Sequence, residues 1–384
     1  LKSLKSSLPR EFADVFDPQT YLTAQNYTQA KTKLDLTSSS FGLIILVIFI
    51  VSGGLPWLDA WVRSLGLHPV FSGLIFLGLL GLAADLLFLP FQLYATFVLE
   101  EKFGFNRMSL ATFIQDKLKG FLLALLIGGP CLAGIILFLN AYSVWGWVWA
   151  WGGVSAVMIG VQYLAPTWIL PLFNTFNPLE DGELKDKILE YARQNGVTIQ
   201  DILVMDGSKR SARSNAFFTG FGRKKRIALF DTLLEKHSAE ELVAVLAHEV
   251  GHWKLKHVRR ILLLGIVKTG IILFLLSATI RFEPLFEAFW LEQASVHAGM
   301  VLFLLVYTPL SLLLSAAVHS LSRQHEFEAD KFAVRTTRQP DALIQALKKL
   351  SRDNLSNLSP HPLKVFLEYS HPPVLERIRA LRHG

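Results

Sequence analysis

Two short stretches of the chain carry residue types that do chemistry together. His248-Glu249-Val250-Gly251-His252 sets two histidines four positions apart with a glutamate between them. On a helix, positions i and i+4 lie one turn apart on one face, so both imidazoles reach a single tetrahedral zinc. Glu249 then projects beside them, placed to act as general base on a water molecule. A five-letter pattern with three fixed letters also arises by chance, in which case the histidines decorate a polar surface helix. A catalytic zinc requires a third protein ligand and an open fourth position. Glu326-Phe-Glu-Ala-Asp330 supplies one, 74 residues after His252. Glu326 is the expected ligand, and Asp330, one turn on, is the expected acceptor that orients a ligating histidine. Glu328 reads as a solvated acid, and His257, His297, His319 and His325 read as surface histidines.

These residues need elements that bring them together. Ser238-Ala-Glu-Glu241 forms a capping box, so the helix carrying His248 and His252 has a defined start. Upstream, residues 183–195 are predicted helical and Asp201-Ile-Leu-Val-Met-Asp206 a short strand. Asn215 to Phe221 and Arg226 to Phe230 flank Gly222-Arg-Lys-Lys225 as a predicted hairpin. Around this small α+β unit lie six segments long and apolar enough to cross a bilayer, near 41–58, 69–98, 120–139, 143–172, 261–280 and 298–322. Between His252 and Glu326 the chain therefore crosses and returns, which leaves both halves of the site on one membrane face. The segments divide as 1–172 (N-terminal spans), 173–260 (loop with the histidine pair), 261–322 (two spans) and 323–384 (tail with Glu326). The fold class is mainly α: a polytopic membrane helix bundle with a small α+β domain.

Composition points the same way. Of 384 residues, 52% are hydrophobic and 18% charged, against about 25% charged in ordinary soluble domains. Such a chain has ample apolar surface to bury, which excludes disorder. The single cysteine, Cys131, excludes a disulfide framework and a cysteine-rich zinc knuckle. The net charge of +7 does not indicate nucleic acid, because the basic residues sit in the loops between apolar runs. Loop 173–260 and tail 323–384 hold 26 of the 38 lysines and arginines, which makes their face cytoplasmic by the positive-inside rule. Asp85 and Lys268 fall inside spans, where a charge either lines a polar chamber or pairs near a span end.

Further stretches complete a resemblance. They are Phe97-Val-Leu-Glu-Glu-Lys-Phe-Gly-Phe-Asn106, Asp206-Gly-Ser-Lys-Arg-Ser-Ala-Arg-Ser-Asn-Ala-Phe217, Arg226-Ile-Ala-Leu-Phe-Asp-Thr-Leu-Leu234 and Ser370-His-Pro-Pro-Val-Leu-Glu-Arg377. With His248 to Trp253 and Ser322 to Asp330, they resemble the type-1 CAAX prenyl endopeptidases, integral-membrane zinc metalloproteases of the gluzincin kind. The resemblance implies one zinc per chain on His248, His252 and Glu326, with Glu249 as general base. It implies that Asn215, Ala216 and Phe217 pair with an extended substrate backbone, and that His371, with Arg377 nearby, stabilises the tetrahedral oxyanion. Family members enclose a water-filled chamber in seven spans; six are counted here, and the expected seventh would precede Leu1. Many relatives carry histidine where this chain has Arg213.

The leading expectation is a membrane zinc endopeptidase, a hydrolase, that removes the C-terminal tripeptide of prenylated CAAX proteins. It would act as a monomer in the bacterial inner membrane or the endoplasmic reticulum membrane. Its partners would be the bilayer and a peptide or prenylated protein, with no nucleic acid. A rival with the same chemistry degrades faulty membrane proteins; a rival of another class is a transporter or scaffold that only binds zinc. Glu249 argues against the last, since it has no ligand role.

Overall fold

A computed structural model describes residues 7–142, 144–221 and 224–383. Helix α1 (Pro18–Val51) opens on Asp17, whose carboxylate accepts from the Thr20 amide at 2.8 Å, with Pro18 at the first helical position. It stops before Gly53, which takes φ +73°, and α2 (Gly54–Ser64) leaves in a new direction. The expected first span, 41–58, is thus corrected at its end, where the left-handed glycine breaks the helix, while the helix itself runs upstream through polar residues to its cap. Three further long helices follow, α3 (Pro69–Glu100), α4 (Leu110–Ala141) and α5 (Gly146–Phe173). After the α+β unit come α8 (His257–Ile280) and α9 (Val296–Thr337), once β1 (Phe176–Pro178), α6 (Glu183–Gln194), β2 (Asp201–Met205), β3 (Ala216–Phe221), β4 (Lys224–Phe230) and α7 (Ala239–Lys254) have formed. The chain closes with α10 (Pro340–Asp353), α11 (Pro362–Glu368) and α12 (Val374–His383).

Among the described residues, six helices are long and apolar enough to cross a membrane: α1, α3, α4, α5, α8 and α9. They turn large apolar side chains outward, Leu126 at 72% and Trp168 at 73% exposure, as lipid-facing helices do. Asp85 of α3 is paired with Lys117 of α4, so the charge read within that span is partnered across helices. Lys268 is half-buried on α8.

The α+β unit follows the predicted plan. Strands lie in the order β1-β2-β4-β3, with β2 and β4 parallel and the other pairs antiparallel. β3 and β4 pair antiparallel as the hairpin reading expects, with Lys224 and Lys225, read as turn, already in β4; Gly222 and Arg223 lie outside the described residues. β3 is an edge strand, with one side unpaired within the sheet. Ile188, Ile227, Leu229, Leu246 and Val250 form the core between the sheet and α6 and α7. A second core ties the N-terminal segment to the tail: Phe12, Phe16 and Tyr27 pack with Phe105, Ile344 and Ile378. The stretch before the first span is therefore built into the domain that carries the site.

Candidate metal centre and active site

The capping box forms as read: Ser238 Oγ accepts from the Glu241 amide at 3.3 Å and the Glu241 carboxylate accepts from the Ser238 amide at 3.2 Å. This fixes the phase of α7, which brings His248 and His252 to one face and buries Leu246 and Val250 on the other. Gly251 lets α9 approach closely, since a Cβ there would stand 3.2 Å from the Ala329 backbone. Across this contact, Glu326 meets the histidine pair.

Three donor atoms converge. His248 Nε2 lies 3.1 Å from His252 Nε2, and the Glu326 carboxylate stands 3.4 Å from the first through Oε2 and 3.3 Å from the second through Oε1. A tetrahedral metal with bonds of about 2.0–2.1 Å separates its donors by roughly 3.3 Å. The carboxylate Oε2 of Glu326 is buried, and among the described residues its polar neighbours stand off at 3.3 Å (Arg377) and 3.4 Å (His248) without a well-formed hydrogen bond, a costly state that a cation between the donors would relieve. Among the described residues, His248, His252 and Glu326 are the one such cluster. The donors present therefore fit a divalent metal.

Behind His248 stands a charged network. Its Nδ1 is 2.9 Å from Asp330, and Arg377 donates to the same carboxylate through Nε at 2.8 Å and a terminal nitrogen at 2.6 Å. The other terminal nitrogen of Arg377 lies 3.3 Å from Glu326. Burial by itself pushes the His248 imidazole down; the hydrogen bonds to Asp330 and Glu326 outweigh it and raise the pKa to about 9. Without a metal, a proton supplies the positive charge these acids demand.

The open side faces a cavity of about 270 Å³ bordered by Glu249, Asn215, Ala216, His371 and Arg377 together with the three donors. Leu343, Leu347 and Leu350 of α10 give it one apolar wall. His371 is exposed, with Nε2 3.3 Å from Glu326 and Nδ1 2.9 Å from Ser370 Oγ. Phe217, next along β3, is not among the residues bordering the cavity; its ring packs edge-on to Phe230, 6.5 Å between centroids. Arg213 turns from the site toward Glu100, which it meets at 2.9 Å, and lies 4.4 Å over the Phe105 ring. Arg377, expected near His371, borders the cavity with it, places its fork on Asp330 and turns its remaining terminal nitrogen to Glu326.

Three histidines read as surface residues are buried. His297 meets Asp59 at 2.7 Å, and His257 and His325 stack on each other next to His252. Their signal in the sequence was position: His257 is five residues past His252, and His325 precedes Glu326. Glu328 is exposed as expected, yet it also meets His257 at 2.9 Å.

Residues 178–384 match the model of Peptidase family M48, and residues 1–175 match the model described as CAAX prenyl protease N-terminal, five membrane helices. The chain belongs to peptidase family M48. Four of the long apolar helices of this M48 peptidase fall within 1–175. CAAX prenyl protease 1 of Saccharomyces cerevisiae is 35% identical over 99% of the chain and 89% of its own length. The Homo sapiens CAAX prenyl protease 1 homolog is 31% identical, covering 98% of the chain and 88% of its own. The crystal structure of S. mikatae Ste24p superposes with a TM-score of 0.92 at 34% identity, over 100% of this chain and 93% of that one. This M48 peptidase is thus an integral-membrane metallopeptidase, a hydrolase with the Ste24p fold.

Proposed function

We propose that this peptidase uses zinc to hydrolyse the bond that frees the C-terminal tripeptide of prenylated CAAX proteins, at the cytoplasmic face of its membrane. One observation carries the reading. The donor cluster, Glu249 and the start of edge strand β3, at Asn215 and Ala216, border the same cavity. The substrate class is supported by the relatives, which are named CAAX prenyl protease 1. The face is supported by the 26 basic residues that flank the site.

Two imidazole nitrogens and one carboxylate form the donor set of many catalytic zinc sites. Zinc held by His248, His252 and Glu326 supplies Lewis acidity toward the scissile carbonyl and makes water nucleophilic near neutral pH. The chain's own residues do the rest. An extended peptide adds to β3 beside Asn215, Ala216 and Phe217, whose backbone groups fix its register. The Glu249 carboxylate takes the proton of the attacking water and returns it to the leaving amide nitrogen. His371 Nε2 donates to the oxygen on which charge develops. Asp330 accepts from His248 Nδ1–H and so aims Nε2 at the metal, and Arg377 holds Asp330 in place.

The test uses purified chain in lipid vesicles, with a prenylated CAAX peptide and its unprenylated twin. Mass spectrometry should detect the released tripeptide from the prenylated peptide, stopping with chelator and returning with one equivalent of zinc. Equal cleavage of both peptides would remove the prenyl group from the specificity; no cleavage of either would overturn the proposal.

A further inference from the structure

Between α7 and α8 the chain turns on Lys256 at φ +61°. A residue with a side chain seldom occupies this left-handed region, and it persists where its surroundings enforce it. The turn's result is placement. His257, the first residue of α8, returns against α7 with its Nδ1 3.1 Å from Nδ1 of His252. Its other nitrogen, Nε2, lies 2.9 Å from Glu328 Oε2 on α9. The His325 ring lies flat on it, with centroids 4.0 Å apart and planes 8° apart. His257 is 2% exposed and His325 3%, and neither has a part in the chemistry above.

We propose that His257 is a positioning residue for the metal ligand His252, oriented in turn by Glu328 and by the stacked His325. The inference rests on the metal-site reading. His252 Nε2 faces His248 and Glu326, so the hydrogen of a metal-holding His252 sits on Nδ1. That N–H donates to a bare Nδ1 of His257, whose own hydrogen then sits on Nε2 and is donated to the Glu328 carboxylate. One tautomer of His252 and one of His257 satisfy the row from His252 to Glu328. The two ligand histidines are therefore held differently. His248 donates straight to a buried acid clamped by arginine. His252 is held through a neutral ring that leans on a half-exposed acid.

The competing account is that His257 only fills space where α7, α8 and α9 meet. Two substitutions separate them. In His257→Asn the amide oxygen takes the place of the accepting Nδ1; in His257→Leu the volume is kept and the acceptor is lost. The readouts are metal per chain and the rate of metal loss to a chelator, measured on the full-length chain in detergent, alongside kcat and KM. His257→Leu should lose metal roughly 10–100-fold faster than the parent, and His257→Asn only a few-fold faster. KM should stay within a few-fold in both. Glu328→Ala, on the surface, should speed metal loss by a smaller factor without lowering the unfolding temperature. Equal rates for the Asn and Leu variants, or better retention with Leu, would overturn the proposal. Should the Leu variant not fold, metal loss from Glu328→Ala at the parent rate overturns it. A parent chain that binds no metal would instead overturn the metal-site reading itself.

Discussion

Helix α9 has two halves under opposite rules. From Leu304 to Leu314 it turns leucine and valine outward, with Val306 59% and Leu313 65% exposed. From His325 to Ala333 it turns two of its three acids inward, with Glu326 4% and Asp330 2% exposed and Glu328 left on the surface. One unbroken helix of 42 residues carries both. The difference lies in the surroundings. The first half lies in a helix long and apolar enough to cross a membrane, a setting in which apolar side chains belong outside and unpaired polar groups are expelled. The second half has a packed protein core, where an acid is tolerated only with partners. Glu326 and Asp330 have those partners in His248, His252 and Arg377. A rigid helix anchored in the membrane thus delivers a carboxylate to a histidine pair standing on a soluble helix.

The largest expected effect lies on the catalytic side and separates chemistry from structure. Glu249→Gln should lower kcat by about 10²–10⁴-fold, because a general base is lost, while metal content and unfolding temperature stay at parent values. A near-parental rate would reduce Glu249 to a polar wall of the cavity. Next comes His371→Ala, expected to cost about 10²–10³-fold in kcat with KM within a few-fold and metal retained. Unchanged specific activity per bound metal would move His371 to the scaffold.

Acidity tests the same half through its charge. In the metal-free chain the His248 pKa is raised to about 9, so at neutral pH a metal must displace a proton. The sign follows: below pH 9 the metal dissociation constant should rise about tenfold for each unit the pH falls, and above pH 9 it should flatten. The proton in turn stabilises the metal-free fold below about pH 6.5, and that contribution should fade as pH rises toward 9. Competition with a chelator of known proton affinity, followed from pH 6 to 10, reads the slope. A flat profile would place the required positive charge on Arg377 alone.

Much of this was legible in the sequence, for physical reasons. The histidine pair, the capping box and the long apolar runs are local patterns, set by the 3.6-residue helix period and by bilayer thickness. Partnership across the fold was less so. That His257 is buried depends on a turn at Lys256, and nothing in the residue type announces φ +61° there. That Arg377 serves Asp330 depends on two acids meeting behind the ligands, which only the packing of α9 on α7 decides. The first span was carried too far because hydropathy runs on past the break at Gly53, and it said nothing of the polar stretch from Pro18 that continues the same helix.

Smaller effects probe the contact that joins the halves to the site. Gly251→Ala would set a methyl 3.2 Å from the Ala329 backbone and from the Phe332 ring. Overpacking costs about 1–3 kcal/mol, and alanine's better helix propensity returns about 1 kcal/mol. The net should be a loss of up to about 2 kcal/mol, visible as a lower unfolding temperature. Metal should also leave faster, because the two helices that hold its donors are pushed apart. A stabilised variant would show that α9 slides freely on α7.

The smallest effect is expected from the lipid-facing half, and it is the sharpest check on the comparison. Leu313→Ala removes three methyl-sized groups from a side chain that touches little protein. Lipid tails are as apolar as leucine, so no hydrophobic surface passes from protein to water, and stability should change by no more than about 0.5 kcal/mol. Phe332→Ala, nineteen residues along the same helix, removes a side chain only 9% exposed and should cost about 3–5 kcal/mol. The two variants differ in lost volume and slightly in helix propensity, but the expected gap between them is larger than either difference and so reports the surroundings. Thermal unfolding in one detergent reads both. A cost of 2 kcal/mol or more for Leu313→Ala would mean that this face packs against protein, and the two halves of α9 would then obey one rule.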